Sequence, residues 1–257
     1  MKVFAKIVFF IMVGILQLTL VSCNRDKTQK QGVVNTTPEQ SKMIEAYKKS
    51  MEESKKDVVA RVNGVNITMF DLLKEMNEIG QQYIKSGEKR DPKLDEKVRK
   101  EALDRLIYTE LAVQAAIRKG MGVPPQRIDY EFNKGKAALK TEEAYKKRLE
   151  TLGLTEEGLK KQIERGILVD MITDEEIFKK VKVDPEQVKE TYAREKSSYK
   201  DPSGKQLSFE AARPIIEEKL MTAAVHKRED QWVEELKKNA KIDITLGESA
   251  KKIHGIN

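Results

Sequence analysis

The stretch that decides the fold is Val58-Val59-Ala60-Arg61-Val62-Asn63-Gly64-Val65-Asn66-Ile67. Its β-branched residues favour extended backbone, and Asn63-Gly64 between them is typical of a two-residue type I′ turn. The stretch therefore predicts a β-hairpin. Because a lone hairpin is only marginally stable, we expect another strand beside it. The segment 241–246 alternates apolar and polar side chains, so we predict that this terminal strand pairs with the hairpin.

Directly after the hairpin, Thr68 with Asp71 three residues later predicts the capped start of a helix that Gly87 ends. Its apolar face is predicted to contain Leu72, Leu73, Met76, Ile79 and Tyr83. A longer helix is predicted from Asp91-Pro92 to Gly120, with an apolar stripe wide enough to indicate burial on more than one side. The stripe contains Leu94, Val98, Leu103, Leu106, Ile107, Leu111, Val113 and Ile117.

The remainder of the chain also has helical periodicity. Further helices are predicted after the 120–125 turn, around Tyr145, from Thr155, from Asp184-Pro185 and from Ser208, with a short polar loop at 199–206. Pro214 is tolerable if it falls in the first turns of the last helix. The sequence thus predicts a mostly α fold, a multi-helix module with a small β-hairpin or sheet closed by the C-terminal strand.

The composition excludes several classes of protein. The chain has 257 residues, of which 35% are charged and 39% hydrophobic, and it contains one cysteine. Its long apolar run lies at the N-terminus, so it is not a polytopic membrane protein. One cysteine rules out a disulfide framework, and the length is sufficient for a core without metal or crosslinks.

The N-terminus has the layout of an export signal. Lys2 and Lys6 precede the apolar run Ile7–Leu20, which is shorter than the ~20 residues that span a bilayer. Leu20-Val21-Ser22-Cys23 resembles the lipobox of bacterial lipoproteins, which implies a cleaved signal peptide at 1–22 and lipid attachment at Cys23. The alternative is an uncleaved anchor with an idle thiol.

The segment 23–56 is predicted to contain the lipidated N-terminus, a polar tether and a helix. Thr37-Pro38 is typical of a helix start, and Ile44, Tyr47 and Met51 share a stripe of that helix. The helix is either a spacer or the first packed helix. We predict a helical domain at 57–246 and a flexible tail at 247–257.

Residues for catalysis or metal binding are scarce. His226 and His254 are the histidines of the chain, and no nucleotide-binding glycine motif or nucleophile motif is present. His226 is interpreted as a helix-face residue and Trp232 as core. We therefore expect no catalytic residues, no metal site and no cofactor.

The net charge of +7 suggests nucleic-acid binding at first sight. The first 22 residues contain two lysines and no acidic residue, so the charge of the rest is +5. Acidic and basic residues alternate along the helices without an aromatic-basic strip. We expect no nucleic acid or nucleotide as partner, and at most weak, salt-dependent contact with anionic lipid or acidic clients.

Several segments together resemble the chaperone domain of SurA/PrsA-type exported foldases. They are 58–64 with Ile67-Thr68, Leu103–Ile107 with Glu110-Leu111, Ala115-Ala116 with Lys119-Gly120, 183–199, and Arg213-Pro214 through 244. The resemblance covers roughly residues 57–246. It implies a periplasmic or cell-surface chaperone that holds unfolded exported chains without ATP, with its N- and C-terminal segments interleaved.

Many members of this family insert a parvulin prolyl isomerase domain before the last helix. Eight residues separate Tyr199 from Ser208 here, whereas a domain needs about 100. We therefore expect a chaperone rather than an enzyme. A prolyl isomerase, or a structural adaptor lipoprotein that docks one partner, remains the alternative.

A chaperone without nucleotide needs an apolar surface of adaptable side chains. The candidate residues for this surface are Met69, Leu72, Met76, Tyr83, Met121, Met171 and Met221. The alternative interpretation, which is favoured for each methionine taken individually, is core filler. The predicted partners are unfolded exported or outer-membrane polypeptides and the membrane that holds the lipid anchor.

Overall fold

The computed structural model describes residues 38–139 and 141–245. The predicted signal peptide, Cys23, the tether, His254 and the tail from 247 lie outside the described residues.

A three-stranded antiparallel sheet joins the two ends of the described chain. The strands are β1 (Val58–Val62), β2 (Val65–Thr68) and β3 (Ile242–Ile244), in the order β2-β1-β3. Asn63 and Gly64 have φ values of 51° and 88°, the left-handed conformation that both central residues of a type I′ turn require. Val62 pairs with Val65 on one side and Ile242 on the other, so the predicted hairpin and terminal strand are confirmed.

Eight α-helices lie in the described part of the chain. They are α1 (Pro38–Ser54), α2 (Met69–Lys85), α3 (Pro92–Arg118), α4 (Pro125–Ala137), α5 (Glu142–Leu152), α6 (Glu156–Glu176), α7 (Pro185–Glu195) and α8 (Phe209–Lys238). Short 3₁₀ turns follow α6 and α7, at Phe178–Lys180 and Lys196–Ser198. The predicted fold class, mostly α with one small sheet, is confirmed.

Local capping determines where the helices begin. Thr68 and Asp71 form a reciprocal capping box at the start of α2. The side chains of Asp91, Thr141, Thr155, Asp184 and Ser208 accept backbone N–H groups at the starts of α3, α5, α6, α7 and α8. Pro214 lies early in α8, and the helix continues past it to Lys238. The starts predicted at Thr68, Asp91, Thr155, Asp184 and Ser208 are confirmed.

The buried apolar side chains form three clusters. The main core lies between the sheet, α2, α3, the second half of α6 and the second half of α8. A second core joins α4, α5 and the first half of α6. A third joins α7 to the first half of α8. Helices α6 and α8 therefore each contribute to two cores.

Two residues of the predicted apolar stripes do not face a core. Leu73 is 42% exposed and Ile117 is 59% exposed. Leu73 follows the buried Leu72 directly, and consecutive helical residues point about 100° apart, so both cannot face α3. The assignment of Leu73 to the buried face of α2 was wrong.

Candidate functional site

Four of the seven side chains predicted to form an apolar binding surface lie along one stripe of α2. Met69 and Leu72 are 5% and 1% exposed in the main core, and Met76 and Tyr83 are half-buried against it. This stripe packs on α3, because helical spacing places all four residues on the buried side. Met69 and Leu72 therefore belong to the core, and their predicted place on an accessible surface is corrected.

The other three side chains are dispersed. Met121 is half-buried against the main core and Met171 against the second core. Met221 is 38% exposed on α8. The structure thus divides the seven residues among two cores and the surface of α8, instead of gathering them into one groove.

A different group of side chains meets where α2 faces α5 and the start of α6. This region, which we call the α2–α5 joint, is defined by Phe70, Lys74 and Glu78 of α2 together with Arg148, Gly153 and Gln162. Lys74 Nζ donates a hydrogen bond to Gln162 Oε1 at 2.8 Å. A Cβ atom built at Gly153 would lie 3.3 Å from the Phe70 ring. The joint is therefore closed by long side chains and by one glycine.

The sequence contains a signal for this group that apolar periodicity does not reveal. Phe70, Lys74 and Glu78 are spaced by four residues, so they share a side of α2 distinct from the buried stripe of Leu72 and Ile79. A mixed apolar and charged row does not stand out in a search for apolar periodicity. What packs on such a row depends on α5 and α6, as in the contact of Lys74 with Gln162, which is 88 positions away in the chain.

Charges in the joint are partly removed from water. Burial, followed by the nearby Glu75 carboxylate, raises the pKa of Glu78. Burial also lowers the pKa of Arg148, although the Glu78 carboxylate acts in the opposite sense. The Arg148 Nε is buried and has no hydrogen-bond partner among the described residues. The joint therefore contains a buried N–H donor without a partner, which a peptide carbonyl or a carboxylate could satisfy only when the joint opens.

Helix α1 covers the apolar end of the joint. The Met51 Sδ lies 2.8 Å from the Cβ position of Gly153, and Lys55 Nζ lies 5.4 Å from the centre of the Phe70 ring. Lys48 Nζ pairs with Glu150 Oε1 of α5 at 3.0 Å. The sequence left open whether this helix is a spacer or the first packed helix. The structure shows that it contacts α2 and α5.

A buried carboxylate fixes α6 against α3 and the hairpin. Glu110 is 5% exposed and accepts a hydrogen bond from Arg165 Nη2 at 2.5 Å. Gln114 Nε2 donates to Glu110 Oε1 at 2.7 Å and to the Val62 carbonyl at 3.1 Å. A glutamate between Ile107 and Leu111 in an apolar stripe was the available signal for this network.

A second buried carboxylate fixes α8. Glu176 accepts hydrogen bonds from Lys119 and Lys180, and Arg228 Nε donates to its backbone carbonyl at 2.9 Å. Burial alone would raise the pKa of Glu176, but the hydrogen bonds from the two lysines outweigh it and lower the pKa. The cluster joins the ends of α3 and α6 to α8, so these three helices are held together by ion pairs as well as by apolar packing.

Trp232 and His226, the two residues of α8 named in the sequence analysis, lie in the core and at the surface, respectively. Trp232 is 3% exposed and packs edge-on against Tyr108 with ring centres 5.9 Å apart, which confirms its prediction as core. His226 has a side chain 56% exposed, with Nδ1 3.7 Å from Glu229 Oε2. Within 38–245, as far as described, no three His, Cys, Asp or Glu residues are placed to hold a metal ion. None of the described helices combines the length and apolarity needed to cross a membrane.

The connection between α7 and α8 is a short turn that is held by hydrogen bonds. Lys200 and Gln206 form an isolated antiparallel bridge, and Leu207 N donates to the Tyr199 carbonyl at 2.8 Å. Inside the turn, Asp201 accepts the Ser203 hydroxyl at 2.6 Å. The position at which the resemblance to foldases places an inserted domain is thus spanned by this turn.

These features define a class of protein, a helical module whose first hairpin and last strand share one sheet and whose helices are joined by buried ion pairs. The family model of the SurA-like N-terminal domain matches residues 43–173, and the chain belongs to this family. The match extends from α1 into α6 and includes the whole α2–α5 joint.

A curated relative supports the same assignment. The chain is 27% identical over 203 residues to the foldase protein PrsA of Caldanaerobacter subterraneus subsp. tengcongensis. The aligned region covers 76% of this chain and 53% of the relative, so the chain spans about half the length of the relative that it matches. The resemblance to SurA/PrsA-type chaperones is thereby confirmed.

Proposed function

We propose that this protein is a lipid-anchored, ATP-independent chaperone that binds unfolded exported or outer-membrane polypeptides at the α2–α5 joint. The observation that carries the proposal is the family match over 43–173, because this segment contains every residue that defines the joint. The name of the PrsA relative, a foldase, supports the same class of activity.

The chemistry of the joint suits an unfolded chain. Such a chain presents apolar side chains together with backbone N–H and carbonyl groups that are not yet paired with one another. Phe70 offers a half-buried ring, and the buried Arg148 Nε offers an unpaired donor for a carbonyl once a client opens the joint. Contacts of both kinds, each worth about 1 kcal/mol, give modest binding that reverses without an energy source.

The N-terminus supplies the proposed location. Diacylation at Cys23 would anchor the protein stably, since two acyl chains hold where one is marginal. Fourteen residues separate Cys23 from Pro38, a reach of at most about 50 Å when extended. The anchor would keep the joint close to the periplasmic or outer membrane surface on which exported chains emerge.

The test is suppression of aggregation. The mature chain, held in lipid nanodiscs, is mixed with an outer-membrane protein diluted from urea, and light scattering is followed. We expect suppression at stoichiometric amounts, and a weaker effect for Phe70→Ala in the joint. Tyr130→Ala, at an aromatic residue of α4 that is 65% exposed, is the matched control. Circular dichroism verifies that each variant is folded.

Absence of suppression at stoichiometric excess with several unfolded clients would refute the chaperone function. Two other results would favour the competing functions. Accelerated isomerisation of a proline-containing tetrapeptide would favour a prolyl isomerase. Recovery of one stoichiometric membrane partner, in place of many unfolded clients, would favour an adaptor lipoprotein.

A further inference from the structure

Helix α1 places one side chain in the apolar end of the α2–α5 joint. The Met51 thioether and the edge of the Phe70 ring both flank Gly153, so the two side chains are near neighbours across this glycine. Gly153 has φ 60° and no side chain, so its place next to the Phe70 ring is left to the methionine. Contact between sulfur and an aromatic ring is favourable, and the unbranched methionine adapts to the space available.

The remainder of α1 is held loosely. All of its side chains that the structure describes, from Lys42 to Ser54, are exposed or half-exposed. Its ion pair between Lys48 and Glu150 joins side chains that are 62% and 69% exposed, and such pairs contribute little. A 17-residue helix is also marginal in water without packing. Release of α1 therefore costs little free energy.

We propose that α1 is a displaceable cover and that the site of Met51 is a subsite for clients. The client segment that fits it is a stretch of unfolded chain that becomes an amphipathic helix on binding, with a basic residue three positions before an unbranched apolar side chain, the pattern of Lys48 and Met51. This inference rests on the proposed chaperone function of the joint.

The contacts of α1 support this choice of occupant. Glu150 stands at the rim of the site as an exposed carboxylate, and in the structure it pairs with the lysine of α1. Gly153 and Phe70 form the apolar floor, about one turn of helix along α1 from that pair. An acidic rim beside an apolar floor selects a basic and apolar side chain on the same face of one helix.

The first experiment measures docking of α1 by hydrogen exchange of the mature chain in lipid nanodiscs. Met51→Lys removes the apolar contact. Glu150→Lys places a like charge against Lys48, and because Glu150 is exposed, we expect this substitution to leave the fold intact. We expect amide exchange in residues 42–54 to rise at least tenfold for Met51→Lys and to a smaller extent for Glu150→Lys. Met43→Lys, at a residue of the same helix that is 68% exposed, is the control. Unchanged exchange in both test variants would overturn the cover.

The second experiment supplies α1 in trans, as a fluorescent peptide of residues 38–56. In the wild type, α1 occupies the site, so the peptide binds only the fraction of molecules in which the site is open, and its apparent affinity is reduced accordingly. The peptide should therefore bind the Met51→Lys chain at least tenfold more tightly than the wild type. A peptide that itself carries Met51→Lys should lose this binding. Unfolded clients should displace the intact peptide.

The outcomes separate the two proposals. If the chain suppresses aggregation but clients do not displace the peptide, the subsite is wrong and the chaperone stands. If no client binds any variant while the peptide still binds the released site, the chaperone fails and the docking of α1 stands. Failure of the peptide to bind the Met51→Lys chain would overturn the subsite itself.

Discussion

Asn63 and Lys241 close the fold across 178 positions of sequence. The Asn63 side-chain oxygen accepts a hydrogen bond from the backbone N–H of Lys241 at 2.8 Å, and the Asn63 backbone N–H donates to the Lys241 carbonyl at the same distance. Asn63 Nδ2 also donates to Gln114 of α3 at 2.7 Å. One turn residue thus connects the first hairpin, the last strand and helix α3 of the main core.

We expect Asn63→Ala to destabilise the protein by about 2 kcal/mol. The left-handed conformation costs alanine about 1 kcal/mol or more, and the side-chain hydrogen bonds contribute about 1 kcal/mol. Asn63→Gly keeps the backbone conformation at no steric cost, so it should lose only the hydrogen bonds. Urea unfolding measures both variants. Equal losses for the two would contradict a backbone contribution at this turn.

Removal of Arg165 should destabilise more than removal of an exposed lysine on the same helix. Arg165→Ala leaves the Glu110 carboxylate, whose side chain is 6% exposed, without its cation. We expect a loss of about 2 kcal/mol, less than for a fully buried pair because Arg165 is itself partly in water. Lys161, paired with Glu157 at the exposed surface of α6, is the control, and Lys161→Ala should cost under about 0.5 kcal/mol.

A double substitution distinguishes the buried charge from lost packing. Glu110→Gln removes the charge but keeps hydrogen-bonding capacity. The combination of Glu110→Gln with Arg165→Ala should therefore be more stable than Arg165→Ala alone. If the double variant were the less stable of the two, the uncompensated carboxylate would not be the cause of the loss.

Asp170 should make the packing of α6 on α4 sensitive to pH. Burial raises its pKa to about 6, with Glu131 of α4 acting in the same sense and Arg127 of α4 in the opposite one. In the folded state the carboxyl takes up a proton at a higher pH than in the unfolded chain, where its ordinary pKa is 3.8. Its contribution to stability is therefore lost as the pH rises from about 4 to about 7.

Asp170→Asn, which cannot ionise, removes this dependence. We expect the variant to gain stability over the wild type as the pH rises from about 4 to about 7, measured by urea unfolding at each pH. Asp230→Asn, at an exposed residue of α8, is the matched substitution. Equal pH dependence in the two variants would contradict burial of Asp170 as the cause.

The lipid proposed at Cys23 can be tested by mass spectrometry. The mature protein isolated from membranes should begin at Cys23 and exceed its polypeptide mass by the acyl groups. Cys23→Ser should prevent this modification, because a hydroxyl is not a sufficiently strong nucleophile near neutral pH. A wild-type protein that retains residues 1–22 and an unmodified thiol would support the uncleaved anchor instead.

Features governed by neighbouring residues could be predicted well. The Asn63-Gly64 turn and the caps at Thr68 and Thr155 each depend on backbone preferences within four or five positions. The pairing of β3 was also predictable, since a marginal hairpin needs a partner and one alternating segment was present near the other end. The candidate site could not be predicted in this way. Apolar periodicity pointed to the strongest apolar stripe of α2, and this is the stripe that α3 buries.

The sequence by itself determined the helices, the hairpin and the family, because periodicity and capping are local and survive in any environment. Only the tertiary structure decided which faces remain accessible. Leu72 and Phe70 are both apolar residues of α2, but α3 covers the first, whereas the second lies beside Gly153. Which helix packs on a given face depends on contacts between distant segments, and no local preference encodes them.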